Sequence, residues 1–149
     1  MWWGWTVLVD MFIIRTVFRT IDNFFEAGDL GIAVFSKLNN LELLVSTFLV
    51  ALLAFQVSKN KKAMPYLIMS IIAWIVAMTY FSYLTPKLVE LTELWKKTDH
   101  MGVAGTSNIP DIQQAHQYYH NFYIGLDAFK LILLSFMIFL GVWKQERWT

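Results

Sequence analysis

The sequence predicts an all-α, polytopic membrane helix bundle, and three observations carry that reading. Apolar residues make up 57 % of the 149-residue chain and charged residues only 15 %, against about 25 % in soluble domains. The apolar residues gather into runs long enough to cross a bilayer. A helix rising 1.5 Å per residue needs about 20 residues to cover a hydrocarbon core of roughly 30 Å. A short basic turn, Ser58-Lys59-Asn60-Lys61-Lys62, separates two of these runs. At this length the chain is a single domain, residues 1–149.

Four spans are expected. Met1–Phe18 is apolar except for Asp10 and Arg15 and is barely long enough to cross. No cleavable signal peptide is expected, because Met1-Trp2-Trp3-Gly4-Trp5 has no basic start. Its tryptophans suit the headgroup level of a membrane. An amphipathic interfacial helix follows, with Ile14, Val17, Phe18, Ile21, Phe24, Phe25, Gly28, Ile32 and Phe35 recurring at helical spacing. Ala27, Gly28 and Gly31 are small enough to let another helix approach. Lys37-Leu38-Asn39-Asn40 reads as a break before the next span.

The second span is Leu41–Val57, the third Ala63–Leu84 and the fourth Phe122–Trp143. The third contains no charge, and Pro65 falls in its first turn, where a missing N–H costs nothing. Pro86 marks its far end, after which Glu90, Glu93, Lys96 and Lys97 continue a helix into water. Met101–Pro110 is a loop, and Asp111 is the expected N-cap of the last helix. A helix from Ile112 to Trp143 would be roughly 48 Å long and would project beyond the bilayer. The lysine turn marks the cytoplasmic side, which with four spans places both termini there, in a bacterial inner membrane or its equivalent. This topology leaves Arg15, Arg19 and Lys37 on the outer side.

The most informative pattern lies on the last helix. His116, His120, Tyr123, Asp127 and Lys130 follow spacings of four, three, four and three, which line up on one helix face. Asp127 would lie about 7 Å and Lys130 about 12 Å inside Phe122. An isolated charge at the centre of a membrane helix costs about 2.5–3.5 kcal/mol on insertion scales, so both need partners. They can pair with each other at i,i+3, and Lys130 can snorkel toward the outer end. The same stripe could instead line a polar pathway or contact a partner subunit.

Glu42 opens the second span at the expected level of His120, so a Glu42–His120 contact is reasonable. Asp10 and Arg15 are further intramembrane charges; Lys130 is one candidate partner for Asp10, and Arg15 another through a bend. His116 and His120, at i,i+4, are candidate metal ligands, with Asp99, His100, Asp111 or a carboxylate of the first helices completing a site. A bis-histidine haem is disfavoured, because two same-face histidines cannot take opposite axial positions. Trp74, Tyr80, Phe81 and Tyr83 read as packing and interface anchors.

Several function classes recede. A net charge of +1 gives no basic surface for nucleic acid, and the lack of cysteine removes disulfides and thiolate chemistry. No phosphate-cradling glycine loop, nucleophile elbow or paired-histidine protease motif occurs. The expectation is therefore a non-enzymatic accessory or scaffold protein of the lipid bilayer, without a cofactor. Its partners would be other membrane subunits or a second copy. The alternatives are a small transporter or proton conduit using Asp127 and Lys130, and a metal- or haem-binding redox subunit using His116 and His120.

Several short motifs carry a resemblance. Thr16-Val17-Phe18-Arg19, Glu26-Ala27-Gly28, Val34-Phe35-Ser36-Lys37-Leu38-Asn39 and Ser82-Tyr83-Leu84-Thr85-Pro86-Lys87-Leu88 are of this kind, with His120, Tyr123, Leu126, Asp127 and Lys130 in the last helix. Together they resemble a family of small four-helix membrane proteins catalogued mainly as a domain of unknown function. That family is similar to a small eukaryotic transmembrane protein linked to platinum-drug resistance. The resemblance covers most of the chain and departs from it at the short first span and at Asp99–Pro110. It implies a fold and little about activity.

Overall fold

The computed structural model describes residues 2–21, 24–100 and 109–146, and these are helical almost throughout. Helix α1 (Trp2–Val7) passes through a π-helical stretch, Leu8–Ile13, into α2 (Ile14–Thr20). Ile21 then turns extended and ends it. Helix α3 runs unbroken from Phe24 to Lys59. Helix α4 (Met64–Thr79) continues through a π-helical turn, Tyr80–Leu84, into α5 (Thr85–His100), and α6 runs from Ile109 to Glu146. Among the described residues, three helical stretches are long and apolar enough to cross a membrane: Glu26–Lys59, Lys61–Thr98 and Asp111–Gly141. These mark a membrane protein. Their lipid-facing surfaces carry large exposed apolar side chains such as Phe48, Phe55, Ile75, Ile132 and Phe139, as a bilayer solvent allows.

The ends of these helices follow from local chemistry. Lys59 closes α3, Asn60 turns extended, and its side chain accepts a hydrogen bond from the Lys62 backbone N–H. Pro65 then sits in the first turn of α4, as the sequence predicts. Pro86 does not end the helix. Its ring would clash with the carbonyl four residues back and it lacks an N–H. The wide turn just before it relieves that conflict: the Thr85 N–H bonds the Tyr80 carbonyl, five residues back. Asp111 lies in the first turn of α6 rather than at its cap, where a carboxylate still meets the positive end of the helix dipole.

The first half of the chain departs from expectation. The predicted amphipathic helix and the second span are one helix, α3, with no break at Lys37–Asn40. Asn39 does not compete for its own backbone because its amide is engaged by Thr85 and Tyr123 on other helices. Of the small residues, Ala27 and Gly31 are buried, whereas a Cβ on Gly28 would meet nothing. Trp2–Thr20 is not among the stretches long and apolar enough to span. Ile21 ends α2 just before α3 begins, and Thr6 reaches Glu42. The N-terminal helices therefore run back along the first half of α3 and reach the start of its Leu41–Val57 half at Glu42.

Three independent counts set the depth of the bundle. Asn39 lies 20 residues before Lys59, Thr85 lies 21 residues after Met64, and Tyr123 lies 20 residues before Trp143. Each distance is about 30 Å at 1.5 Å per residue, the thickness of a hydrocarbon core. The three residues reached this way are hydrogen-bonded to one another. They lie at one level of the bundle, taken below as the boundary plane, about one hydrocarbon-core thickness from the lysine turn. Beyond the plane, the first half of α3, the rest of α5 and the start of α6 form a helical head, tied by an ion pair from Lys96 to Asp29.

Candidate functional site

The polar groups of the bundle form two layers. The first lies in the boundary plane. The Asn39 amide Nδ2 donates to Thr85 Oγ1 at 2.8 Å, and the Tyr123 hydroxyl donates to Asn39 Oδ1 at 3.0 Å. Tyr123 stacks on Tyr80 with ring centroids 4.5 Å apart and meets the edge of Phe35 at 5.4 Å. Val76, Tyr80, Leu84 and Tyr123 make the buried apolar core around it. The π-helical turn contributes both Tyr80 and Leu84, each fully buried.

The second layer lies deeper. Glu42 is one turn below Asn39 on the same face of α3, and Lys130 is two turns below Tyr123 on α6. The Lys130 stem points back toward the boundary plane, as helical side chains lean toward the N-terminus. Its Nζ lies 2.8 and 2.9 Å from the two carboxylate oxygens of Glu42 and 2.5 Å from Asp127 Oδ1. Thr6 Oγ1 donates to the same Glu42 at 2.9 Å and brings α1 into the cluster. The ammonium also lies 5.1 Å from the Tyr80 ring centroid. The side chains of Lys130 and Glu42 are each 1 % exposed, and Asp127 is 13 % exposed.

Valence explains why this arrangement is stable in a dry environment. A lysine ammonium carries three N–H bonds. Here two Glu42 oxygens accept hydrogen bonds from it and an Asp127 oxygen lies in ion-pair contact. Burying a charge is tolerable only when it is paired and hydrogen-bonded, and this one is both. Elsewhere, a buried hydroxyl, Ser70 Oγ on α4, has no hydrogen-bond partner among the described residues.

The predicted stripe is therefore real as a line on one helix but divides in use. Asp127 and Lys130 are drawn together with Glu42, and Tyr123 joins Asn39 in the layer above. His116 and His120 are not. Their rings lie parallel with centroids 6.2 Å apart, and the edge of Trp95 meets His116 at 5.8 Å. His116 is half-buried and His120 is exposed. The expected Glu42–His120 contact does not form. Tyr123, not His120, is level with Asn39, so Glu42 lies too deep for His120 and meets Lys130 instead. Among the described residues, no group of three or more histidine, aspartate or glutamate side chains gathers into a metal-binding arrangement. Asp111 is exposed. The side chains of Asp10, Arg15, Asp99 and His100 lie outside those described.

Three members of the site were missed from sequence: Thr6, Asn39 and Thr85. Asn39 had a usable signal, since it stands three residues before Glu42 and so on the same helix face. Trp74, read as an anchor, donates its indole N–H to Thr47 Oγ1 at 2.9 Å and ties α4 to α3. No family model, no curated protein and no solved structure matches this chain.

Proposed function

We propose that the chain is a non-enzymatic integral membrane protein, an accessory or scaffold component whose intramembrane cluster locks its helices in one arrangement. The observation that carries this reading is the closure around Lys130. Its ammonium donates to both Glu42 carboxylate oxygens and is ion-paired with Asp127, at 1 % exposure. A buried ion cluster whose ammonium is held by two carboxylates fits a structural tie between α1, α3 and α6 better than a conducting pathway. The groove between α3 and α5 does not reach Asp127 or Lys130. No catalysis and no cofactor is assigned to the cluster. Other membrane subunits or a second copy would be the partners of such a scaffold, and the resemblance to small four-helix membrane proteins of unknown function agrees with it.

The topology belongs to the same proposal. Three helices span, and the N-terminal helix enters the membrane only partway, because Thr6 is level with Glu42 just below the boundary plane. The lysine turn and the C-terminus then face the cytoplasm. The expected cytoplasmic N-terminus requires a full first span, which the depth of Thr6 opposes.

Two measurements test the proposal together. Lys130→Met should lower both expression and the melting temperature in detergent. In liposomes, wild type and Asp127→Asn should show the same proton and small-cation flux as empty vesicles. Flux above that background that falls in Asp127→Asn would favour the conduit and overturn the lock.

A further inference from the structure

Between α3 and the segment joining α4 to α5 the helices leave an open groove of about 460 Å³. Its lining changes character along the membrane normal. At its hydrocarbon end lies Phe81, half-exposed. At the boundary plane and one turn beyond it lie Ser36, Asn39 and Asn40 on the α3 wall and Thr85, Pro86 and Val89 on the opposite wall. Farther out are Glu90 and Glu93, about 7 and 12 Å past Thr85 along the helix. Glutamate side chains on α5 lean back toward its N-terminus, and hence toward the membrane.

The middle of the groove is rich in hydrogen-bond donors. Asn39 is 1 % exposed and lines it. Of its two amide N–H bonds one goes to Thr85, and the second has no acceptor among the described residues. Thr85 accepts from Asn39, and its own hydroxyl proton likewise has no acceptor there. Ser36 and the exposed Asn40 add further donors. The outer end is acidic. Glu90 is paired with Lys87 at 2.8 Å, whereas Glu93 is in no ion pair or hydrogen bond with a described residue.

From Phe81, past the donors of the α3 wall and Thr85, to Glu90 and Glu93, the polar groups run apolar, then donor, then carboxylate, with Pro86 and Val89 an apolar strip between them, across the level taken as the edge of the hydrocarbon core. A phospholipid seated from the side presents acyl chain, phosphate and headgroup in that same order. We propose that this groove binds the headgroup of a phospholipid carrying a primary ammonium, a phosphoethanolamine lipid. Its phosphate oxygens accept from Asn39, Asn40, Ser36 and Thr85, and its ammonium donates to Glu93 and Glu90. The carboxylates give the selectivity. A primary ammonium has N–H bonds to donate, a trimethylammonium has none, and a single ring, Phe81, is no aromatic cage. A glycerol headgroup leaves the lipid anionic, and the carboxylates repel it. This inference rests on the depth of the groove and not on the role of the Lys130 cluster.

Native mass spectrometry of the purified protein tests it, with an equimolar mixture of ethanolamine, choline and glycerol phospholipids of identical acyl chains. Wild type should retain one ethanolamine lipid about tenfold over the other two, the effect of one charge-assisted hydrogen bond. Glu93→Gln should collapse that preference, and Asn40→Ala should lower retention of the ethanolamine lipid without raising that of the choline lipid. Both residues are exposed, so neither change threatens the fold. Equal retention of the three lipids by wild type, or an undiminished preference in both variants, overturns the proposal. Soluble phosphoethanolamine separates the sources. Displacement of the lipid at less than about tenfold molar excess overturns the lipid as the ligand, and failure to displace it there supports it.

Discussion

The two halves of the polar stripe on α6 have similar chemistry and opposite surroundings. His116 and His120 lie in the helical head, beside Trp95 and water, with no carboxylate partner among the described side chains. Asp127 and Lys130, two to three turns farther along, lie below the boundary plane and are gathered with Glu42 and Thr6 into a closed cluster. The same helix face thus carries groups that stand without an ionic partner among the described residues and groups that must be paired. What separates them is about 15 Å along one helix, from His120 to Lys130. Depth, more than residue type, decides which polar groups hold the fold.

Substitutions along the stripe can break or sharpen this contrast. The largest effect is expected at Lys130. Lys130→Met leaves Glu42 and Asp127 facing each other without their shared cation, a loss of about 3–5 kcal/mol, read from the thermal melt in detergent. Asp127→Asn should cost less, about 1.5 kcal/mol, because Glu42 keeps both of its contacts with the ammonium. The same melt checks the order, and a loss at Asp127 equal to that at Lys130 would show that Glu42 is not the principal partner.

Smaller effects lie in the boundary plane and above it. Tyr123→Phe removes the donor to Asn39 Oδ1 while keeping the ring stacked on Tyr80, for about 1 kcal/mol. His120→Ala should change stability by no more than about 0.5 kcal/mol, as for most exposed positions. A loss at His120 as large as that at Tyr123 would erase the distinction between head and bundle.

Much of this was legible in the sequence, and the parts that were not share a cause. The apolar runs named three helices long and apolar enough to span, though not the fourth span expected at Met1–Phe18, and the lysine turn and Pro65 marked the hairpin, because apolar length and local backbone chemistry leave direct traces. The pairing of Asp127 with Lys130 followed from their i,i+3 spacing. The choice of Glu42 over His120 did not, because the register between α3 and α6 is set by contacts such as Asn39 with Tyr123, not by either helix alone. Asn39 looked like a helix breaker because propensity describes an isolated chain. Here its amide bonds two neighbouring helices. Pro86 looked like a stop because the π-helical turn that accommodates it has no sequence signature.

The most direct test of the lock is a double-mutant cycle on Glu42 and Lys130, read as detergent thermal melts of Glu42→Leu, Lys130→Met and the pair. Lys130→Met strands two carboxylates and Glu42→Leu leaves the buried ammonium with Asp127 alone, whereas replacing both with apolar side chains strands only the partly exposed Asp127. The double variant should therefore melt above Lys130→Met and well above the sum of the two single losses. A double variant that loses as much as the two singles combined would show that the two residues act independently, and the cluster would not be the tie that holds the bundle.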